Sequence, residues 1–153
     1  MKKNKIIILE DRGLISISGP DAKKFLQNIV SNDVDKVNEF NSIYSAIFSP
    51  QGKYLYEFFL INSEEGYLID CDNIFTKEII SHLSKYKLRS NIRITDLSSS
   101  YVVGVISLET FKELQKSEKS NSETLIFRES VIFIDPRNHN LGARILSNLE
   151  KLY

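Results

Sequence analysis

The chain has no tryptophan, a single cysteine, a single methionine, three prolines and two histidines among its 153 residues. Each scarcity removes a class of protein. One thiol, Cys71, excludes an intrachain disulfide framework, and two histidines provide no cluster with metal-ligand spacing, so no metal site is expected. Glycine-rich phosphate loops, nucleophile elbows and paired-carboxylate signatures are also missing. Twenty basic residues balance twenty acidic ones, so no net charge steers the chain toward nucleic acid or an anionic membrane, and neither is expected as a direct partner. No apolar run approaches the roughly 20 residues of a membrane span. The run Ile6-Ile7-Ile8-Leu9 behind Met1-Lys2-Lys3-Asn4-Lys5 is too short for the apolar core of a signal peptide and reads as a strand. Cysteine usage of this kind fits a reducing, cytoplasmic setting.

What remains is an ordinary core-forming composition, 42% hydrophobic and 26% charged, at the length of one domain. Its most organised stretch runs from Ser16 to Val34. Strand-like Ser16-Ile17-Ser18 meets Gly19-Pro20, and Ala22, Phe25, Leu26, Ile29 and Val30 follow at helical spacing as one buried stripe. Pro20 fits a first helical position with Gly19 or Ser18 as cap, Asp21 complements the helix dipole, and Ser31-Asn32-Asp33 closes the helix.

Around this helix the pattern is mostly strand. Ile6 to Leu9 and Leu14 to Ser18 flank the polar Glu10-Asp11-Arg12-Gly13 and predict a hairpin. Ile43 to Phe48 and Tyr54 to Ile61 predict a second hairpin across Ser49-Pro50-Gln51-Gly52-Lys53, with Gly52 left-handed. A third strand covers Tyr67 to Cys71, and Asp72 or Asn73 then caps a helix with the stripe Phe75, Ile79, Leu83 and Tyr86. His82 on that helix has no nucleophile or carboxylate pattern beside it and reads as a half-exposed helix residue. Ile92 to Leu97 is a half-buried strand. After Ser98-Ser99-Ser100 come strand Tyr101 to Ile106, helix Leu108 to Lys116 capped by Ser107, and the hairpin Leu125 to Phe127 with Val131 to Ile134. A long turn from Asp135 opens into a last strand near Ala143, and Leu149 to Tyr153 stop part-way into an apolar pattern.

Strands outnumber helices, which predicts an α+β fold with mainly antiparallel sheets and packed helices, and a ferredoxin-like unit in the middle. Residues 1–97 form the first part of this fold and residues 98–153 the second, incomplete at its C-terminal end. One residue is out of place. Glu57 is the only charge in the apolar run Tyr54 to Ile61, so it finds a partner, shifts its pKa or faces a pocket, unless the strand end meets water there.

Gly19-Pro20-Asp21-Ala22, Phe25-Leu26-Gln27, Ser31-Asn32-Asp33-Val34, Tyr44-Ser45-Ala46 and Gly52-Lys53 resemble, in order and spacing, the folate-binding region of the aminomethyltransferase superfamily. Tyr86-Lys87-Leu88-Arg89, Asp135-Pro136-Arg137 and Leu141-Gly142-Ala143-Arg144 look more like its YgfZ-type branch than like the glycine-cleavage T-protein. The resemblance implies an aminomethyltransferase-type folate-binding fold, tetrahydrofolate as ligand, and work in iron-sulfur cluster assembly and tRNA modification, with iron-sulfur proteins as partners. It places the pterin-facing aspartate of the T-protein on Glu57 and that residue's acidic companion on Tyr56, and it adds Tyr44, Ile69 and Cys71 to the pterin pocket. With the companion acid lost, folate binding without catalysis is the leading expectation. One-carbon transfer to tetrahydrofolate is the alternative, and a degenerate scaffold holding a protein partner is a third reading. The family's later cysteine motif has no counterpart here, and Cys71 lies outside any such motif; by itself it reads as a buried small apolar residue. An N-terminal fragment or a naturally shortened relative of this kind is expected to leave apolar surface uncovered, which a homodimer or strand exchange would cover.

Overall fold

A computed structural model describes residues 5–149; the expected C-terminal pattern at residues 150–153 lies outside them. Two antiparallel five-stranded sheets lie face to face. The first contains β2 (Arg12–Ser18), β3 (Ile43–Phe48), β4 (Tyr54–Ser63), β5 (Gly66–Asp72) and β6 (Arg93–Asp96) in the order β3-β4-β5-β2-β6. The second contains β1 (Ile7–Leu9), β7 (Tyr101–Ile106), β8 (Thr124–Phe127), β9 (Ser130–Ile134) and β10 (Ala143–Asn148) in the order β1-β7-β10-β9-β8. Among the described residues three α-helices pack on the sheets: α1 (Ala22–Gln27), α2 (Thr76–Lys87) and α3 (Leu108–Ser117). The α+β class and the antiparallel pairing are as expected. Strands β2, β4, β5 and β6 with α1 and α2 follow the strand-helix-strand-strand-helix-strand order of a ferredoxin-like unit, and β3 is added at its edge.

The period-two alternation of the strands sorts the first sheet into two faces. On one, Ile15, Ile17, Ile47, Phe58, Leu60, Ile69 and Cys71 pack with Phe25 and Leu26 of α1 and Ile79 and Leu83 of α2. On the other, Leu14, Phe59, Ile61 and Leu68 meet Val103, Phe133 and Leu146 of the second sheet. The far side of the second sheet packs Ile106, Ile132, Ile134 and Ala143 under Phe111 of α3. Beside α3 on this far side, Ile6 and Ile8 are more than half exposed among the described residues (54% and 52%).

The first expected hairpin does not form. β1 pairs with β7, through Ile7↔Val105 and Leu9↔Val103, while both edges of β2 are taken by β5 and β6. A polar turn with a glycine is only a local signal, and two long-range ladders outweigh it. Gly13, read as the end of that turn, is a strand residue whose missing side chain makes room for Thr76; a Cβ there would lie 2.0 Å from the Thr76 hydroxyl. The second hairpin forms as expected, with Gly52 at φ +83° and its N–H donating to the Ser49 carbonyl at 2.9 Å.

Helix α1 buries Ala22, Phe25 and Leu26, with Val30 buried just beyond it, but its first turn differs from expectation. It begins at Ala22, after Pro20. Asp21, in the capping position, turns its carboxylate away to accept the Asn91 N–H at 2.6 Å. Gly19 stands at φ +117° with no room for a side chain against the Asn91 carbonyl. Helix α2 buries Ile79 and Leu83 as read, whereas Phe75 and Tyr86 stay partly exposed. In β4, expected to be covered throughout, only Phe58 to Ile61 are buried, and the Tyr54–Glu57 end runs out beyond the second sheet.

Candidate functional site

Where β4 leaves the cover of the second sheet, a pocket of about 170 Å³ opens between the sheets. Strand parity decides its lining. Arg12 of β2, Tyr44 of β3, Glu57 and Phe59 of β4 and Asp72 of β5 project to this side, and Arg137 and Arg144 reach it from the second sheet. The buried ring of Phe59 forms the floor. Arg144, Arg137 and Arg12 have their guanidinium carbons 4.3, 4.9 and 6.0 Å from its centroid, and the Tyr44 ring lies 5.1 Å away. Guanidinium groups over an aromatic face gain from the ring quadrupole.

Asp70, opposite Phe59 in the ladder and fully buried, holds two of these arginines. Its Oδ1 accepts from Arg12 Nε at 2.8 Å and its Oδ2 from Arg144 Nη1 at 3.0 Å, while Arg12 Nη2 also donates to the Asp70 carbonyl at 3.1 Å. One carboxylate between two guanidinium groups leaves positive charge unspent at the floor of the pocket. Arg144 Nε is buried and has no hydrogen-bond partner among the described residues. Arg137 is tied separately to Asp135, through Nε at 3.0 Å and Nη2 at 2.7 Å.

Glu57 forms the opposite wall. Hydrogen bonds from the hydroxyls of Tyr44 and Tyr54 hold its carboxyl below the usual value, and Arg137 and Arg12 add to the effect. Burial, followed by the bond to Glu57, raises both tyrosines, Tyr54 to about 12. At neutral pH the pair therefore donates and the carboxylate accepts. Glu57 itself is exposed at the mouth, so its charge is carried largely by water.

A carboxylate acceptor on one wall, guanidinium donors on the other and aromatic rings at the floor suit a planar polar group with N–H donors on one edge and a carbonyl on another. Among the described residues no group of histidine, cysteine, aspartate and glutamate side chains could hold a metal ion.

Of the four expected site residues, the structure brings Tyr44 and Glu57 together in this pocket. It does not bring Ile69 and Cys71 there: both are fully buried on the opposite face, under the helices. They alternate with Asp70, and a one-residue step along a strand changes the face. Cys71 Sγ lies 3.7 Å from the Gly13 carbonyl and from Thr76 Oγ1, and burial pushes its thiol up to about 11. Tyr56 turns toward α2, its ring 5.7 Å from Phe75 and 6.2 Å from His82. Arg12, Asp70, Arg137 and Arg144 were not singled out by sequence. A signal existed for Asp70, a lone charge in an apolar strand like Glu57, whereas Arg137 and Arg144 stood inside motifs without any mark of a role.

No family model matches the chain. Among curated proteins, the mitochondrial iron-sulfur cluster assembly factor IBA57 homolog of Mycosarcoma maydis is 30% identical over 162 residues, covering 97% of this chain and 38% of that protein. The homolog of Pyricularia oryzae is 36% identical over 145 residues, covering 91% and 34%, and mouse IBA57 is 25% identical over 153 residues, covering 91% and 42%. The chain thus spans about two fifths of the length of the curated relatives it matches. Among solved structures, the glycine cleavage system aminomethyltransferase T of Bartonella henselae superposes with a TM-score of 0.70 over 92% of this chain and 41% of its own, at 15% identity. That likeness establishes an aminomethyltransferase T-type fold. The relatives are named as mitochondrial proteins, which corrects the cytoplasmic setting drawn from cysteine usage: a scarcity of thiols does not tell one compartment from another.

Proposed function

We propose that this chain is the folate-binding part of an iron-sulfur cluster assembly factor of the YgfZ type, and that the inter-sheet pocket receives the pterin head of tetrahydrofolate. The observation that carries the reading is the pairing of Glu57, backed by two tyrosine hydroxyls, with the buried, partnerless Nε of Arg144 across an aromatic floor. A pterin offers the complement, with amino and ring N–H groups on one edge and a carbonyl on the other. Glu57 would accept from the first edge, Arg137 and Arg144 would donate to the second, and Phe59 and Tyr44 would supply ring contact. At about 170 Å³ the pocket falls below the roughly 300–1,000 Å³ of a site that encloses a drug-sized molecule, so it suits a head group with the rest of the ligand outside.

Tetrahydrofolate, when bound, supplies a carrier for one-carbon units. This chain's residues bind and orient it. The T-protein-like fold supports the aminomethyltransferase alternative at the level of architecture, but Tyr56, where the companion acid is expected, lines the pocket without a carboxylate, its ring against Phe75. The names of the relatives support a role in iron-sulfur assembly, with iron-sulfur proteins as the partners. The scaffold reading is favoured by the small volume and by the missing companion acid at Tyr56.

Titration of the chain with tetrahydrofolate under reducing conditions tests the proposal. Saturable binding that Glu57→Gln weakens about 10- to 100-fold, the range of a lost hydrogen bond to a charged group, is the expected result. No saturable binding selects the scaffold reading. Binding that Glu57→Gln leaves unchanged removes this pocket from the site.

A further inference from the structure

On the helix-covered side of the first sheet, a groove of about 440 Å³ runs between the end of α1 and the end of α2, lined by Lys24, Phe25, Ile29, Tyr86, Lys87 and Leu88 among others. Arg89 stands at its rim. Leu88 is 87% exposed and sits at φ +35°, a conformation that side-chain-bearing residues seldom adopt. The loop that displays it is nonetheless fixed. Ser90 N–H donates to the Lys87 carbonyl at 2.7 Å, Asn91 N–H donates to the Asp21 carboxylate at 2.6 Å, and Ile92 is buried behind them. A leucine held outward on a pinned loop, beside the half-exposed Tyr86, is an apolar centre without a cover.

Three of the four charged residues in its lining are cations. Lys24, Lys87 and Arg89 make no ion pair among the described residues. The acid in the lining, Asp21, is engaged by the Asn91 amide. Lys87 and Lys24 also complement the negative ends of the α2 and α1 dipoles, whereas Arg89 lies beyond both helices.

We infer that this groove docks an acidic segment of a partner protein, one that places an apolar side chain against Leu88 and Tyr86 and carboxylates against Lys24, Lys87 and Arg89. Charge complementarity selects the occupant. A nucleic-acid strand needs a basic track with repeated stacking platforms, whereas here three cations ring a single apolar spot. The inference does not depend on folate binding, since the groove lies on the opposite face of the sheet from the inter-sheet pocket.

The test uses the whole chain and a fluorescent peptide of interspersed leucine and glutamate, beside the same peptide with glutamine for glutamate, a short single-stranded RNA and phosphatidylglycerol vesicles. The acidic peptide is expected to bind saturably, about tenfold or more tighter than the glutamine peptide, and to lose that advantage in Lys24→Glu/Lys87→Glu/Arg89→Glu. Amide shifts in the unaltered protein should concentrate at Lys24 to Ile29 and Tyr86 to Ser90, which keeps the test open even if the triple variant unfolds. No saturable binding, equal binding of the two peptides, shifts scattered over the surface, or preference for RNA or vesicles would overturn the inference.

Discussion

The two faces of the first sheet are built from alternate residues of the same strands and behave as different materials. Toward α1 and α2 the face is apolar nearly throughout, and Cys71 and Ser45 are small polar members of it. Toward the second sheet, the apolar contact of Phe59, Ile61 and Leu68 gives way to a buried carboxylate with two arginines and then to the pocket. One face supplies the burial that stabilises the fold. The other spends part of that stability on charges held out of water, because a buried ionic group seldom gains more than its desolvation costs.

That contrast predicts unequal responses to substitution. The largest effect belongs to Asp70→Ala, which leaves Arg12 and Arg144 facing each other without their shared anion. A loss of about 3–5 kcal/mol is expected, measured by urea unfolding, and a loss below about 1 kcal/mol would show that the ion cluster is hydrated and the two faces alike.

Glu57→Gln, at the mouth of the same face, should act on ligand and not on fold. Its expected cost is the 10- to 100-fold loss of tetrahydrofolate affinity given above, with the unfolding midpoint at neutral pH nearly unchanged because the side chain is exposed. The pH dependence has a defined sign. The folded carboxyl titrates below its ordinary 4.5, so whatever stability it contributes is present above 4.5 and disappears as pH falls through the lower folded value. Any difference between the unfolding curves of the wild type and Glu57→Gln should therefore be small at neutral pH and vanish in acid.

Cys71 tests the helix-covered face. A thiol raised to about 11 by burial is almost entirely protonated at neutral pH, so the folded chain should react with a disulfide reagent far more slowly than the denatured chain does. Fast reaction in the native state would place Cys71 at an accessible site after all. The smallest effect is expected from Lys23 and Asp35, an ion pair at 2.6 Å whose side chains are both more than half exposed. Replacing either by alanine should leave the melting temperature unchanged within error, which marks the baseline against which the two faces are compared.

How far the sequence carried these conclusions differs from residue to residue. Glu57 was legible because a charge interrupts an apolar run, and Tyr44 because a resemblance pointed to it. Ile69 and Cys71 were assigned to the pocket by the same resemblance and lie on the other face, since nothing in the chain itself shows which parity of β5 turns toward the second sheet. Asp70 fits the pattern that exposed Glu57. The arginines, from β2, the Asp135 turn and β10, come together only through pairings between residues far apart in sequence. The mistaken hairpin at Glu10 to Gly13 has the same origin, for a turn signal is local and says nothing about which strand a distant ladder will claim.

By itself, the sequence determined the strand and helix inventory, the tight turn at Gly52, the buried stripe of the helix that follows Gly19-Pro20 and the oddity of Glu57, because each depends on residues within a few positions of one another. Only the tertiary structure decided that β1 joins the second sheet, that Asp70 binds two arginines and that Leu88 is displayed beside Lys24 and Arg89. Those outcomes depend on register and sheet stacking, and the free energy that sets them is shared among contacts that no local stretch of the chain contains.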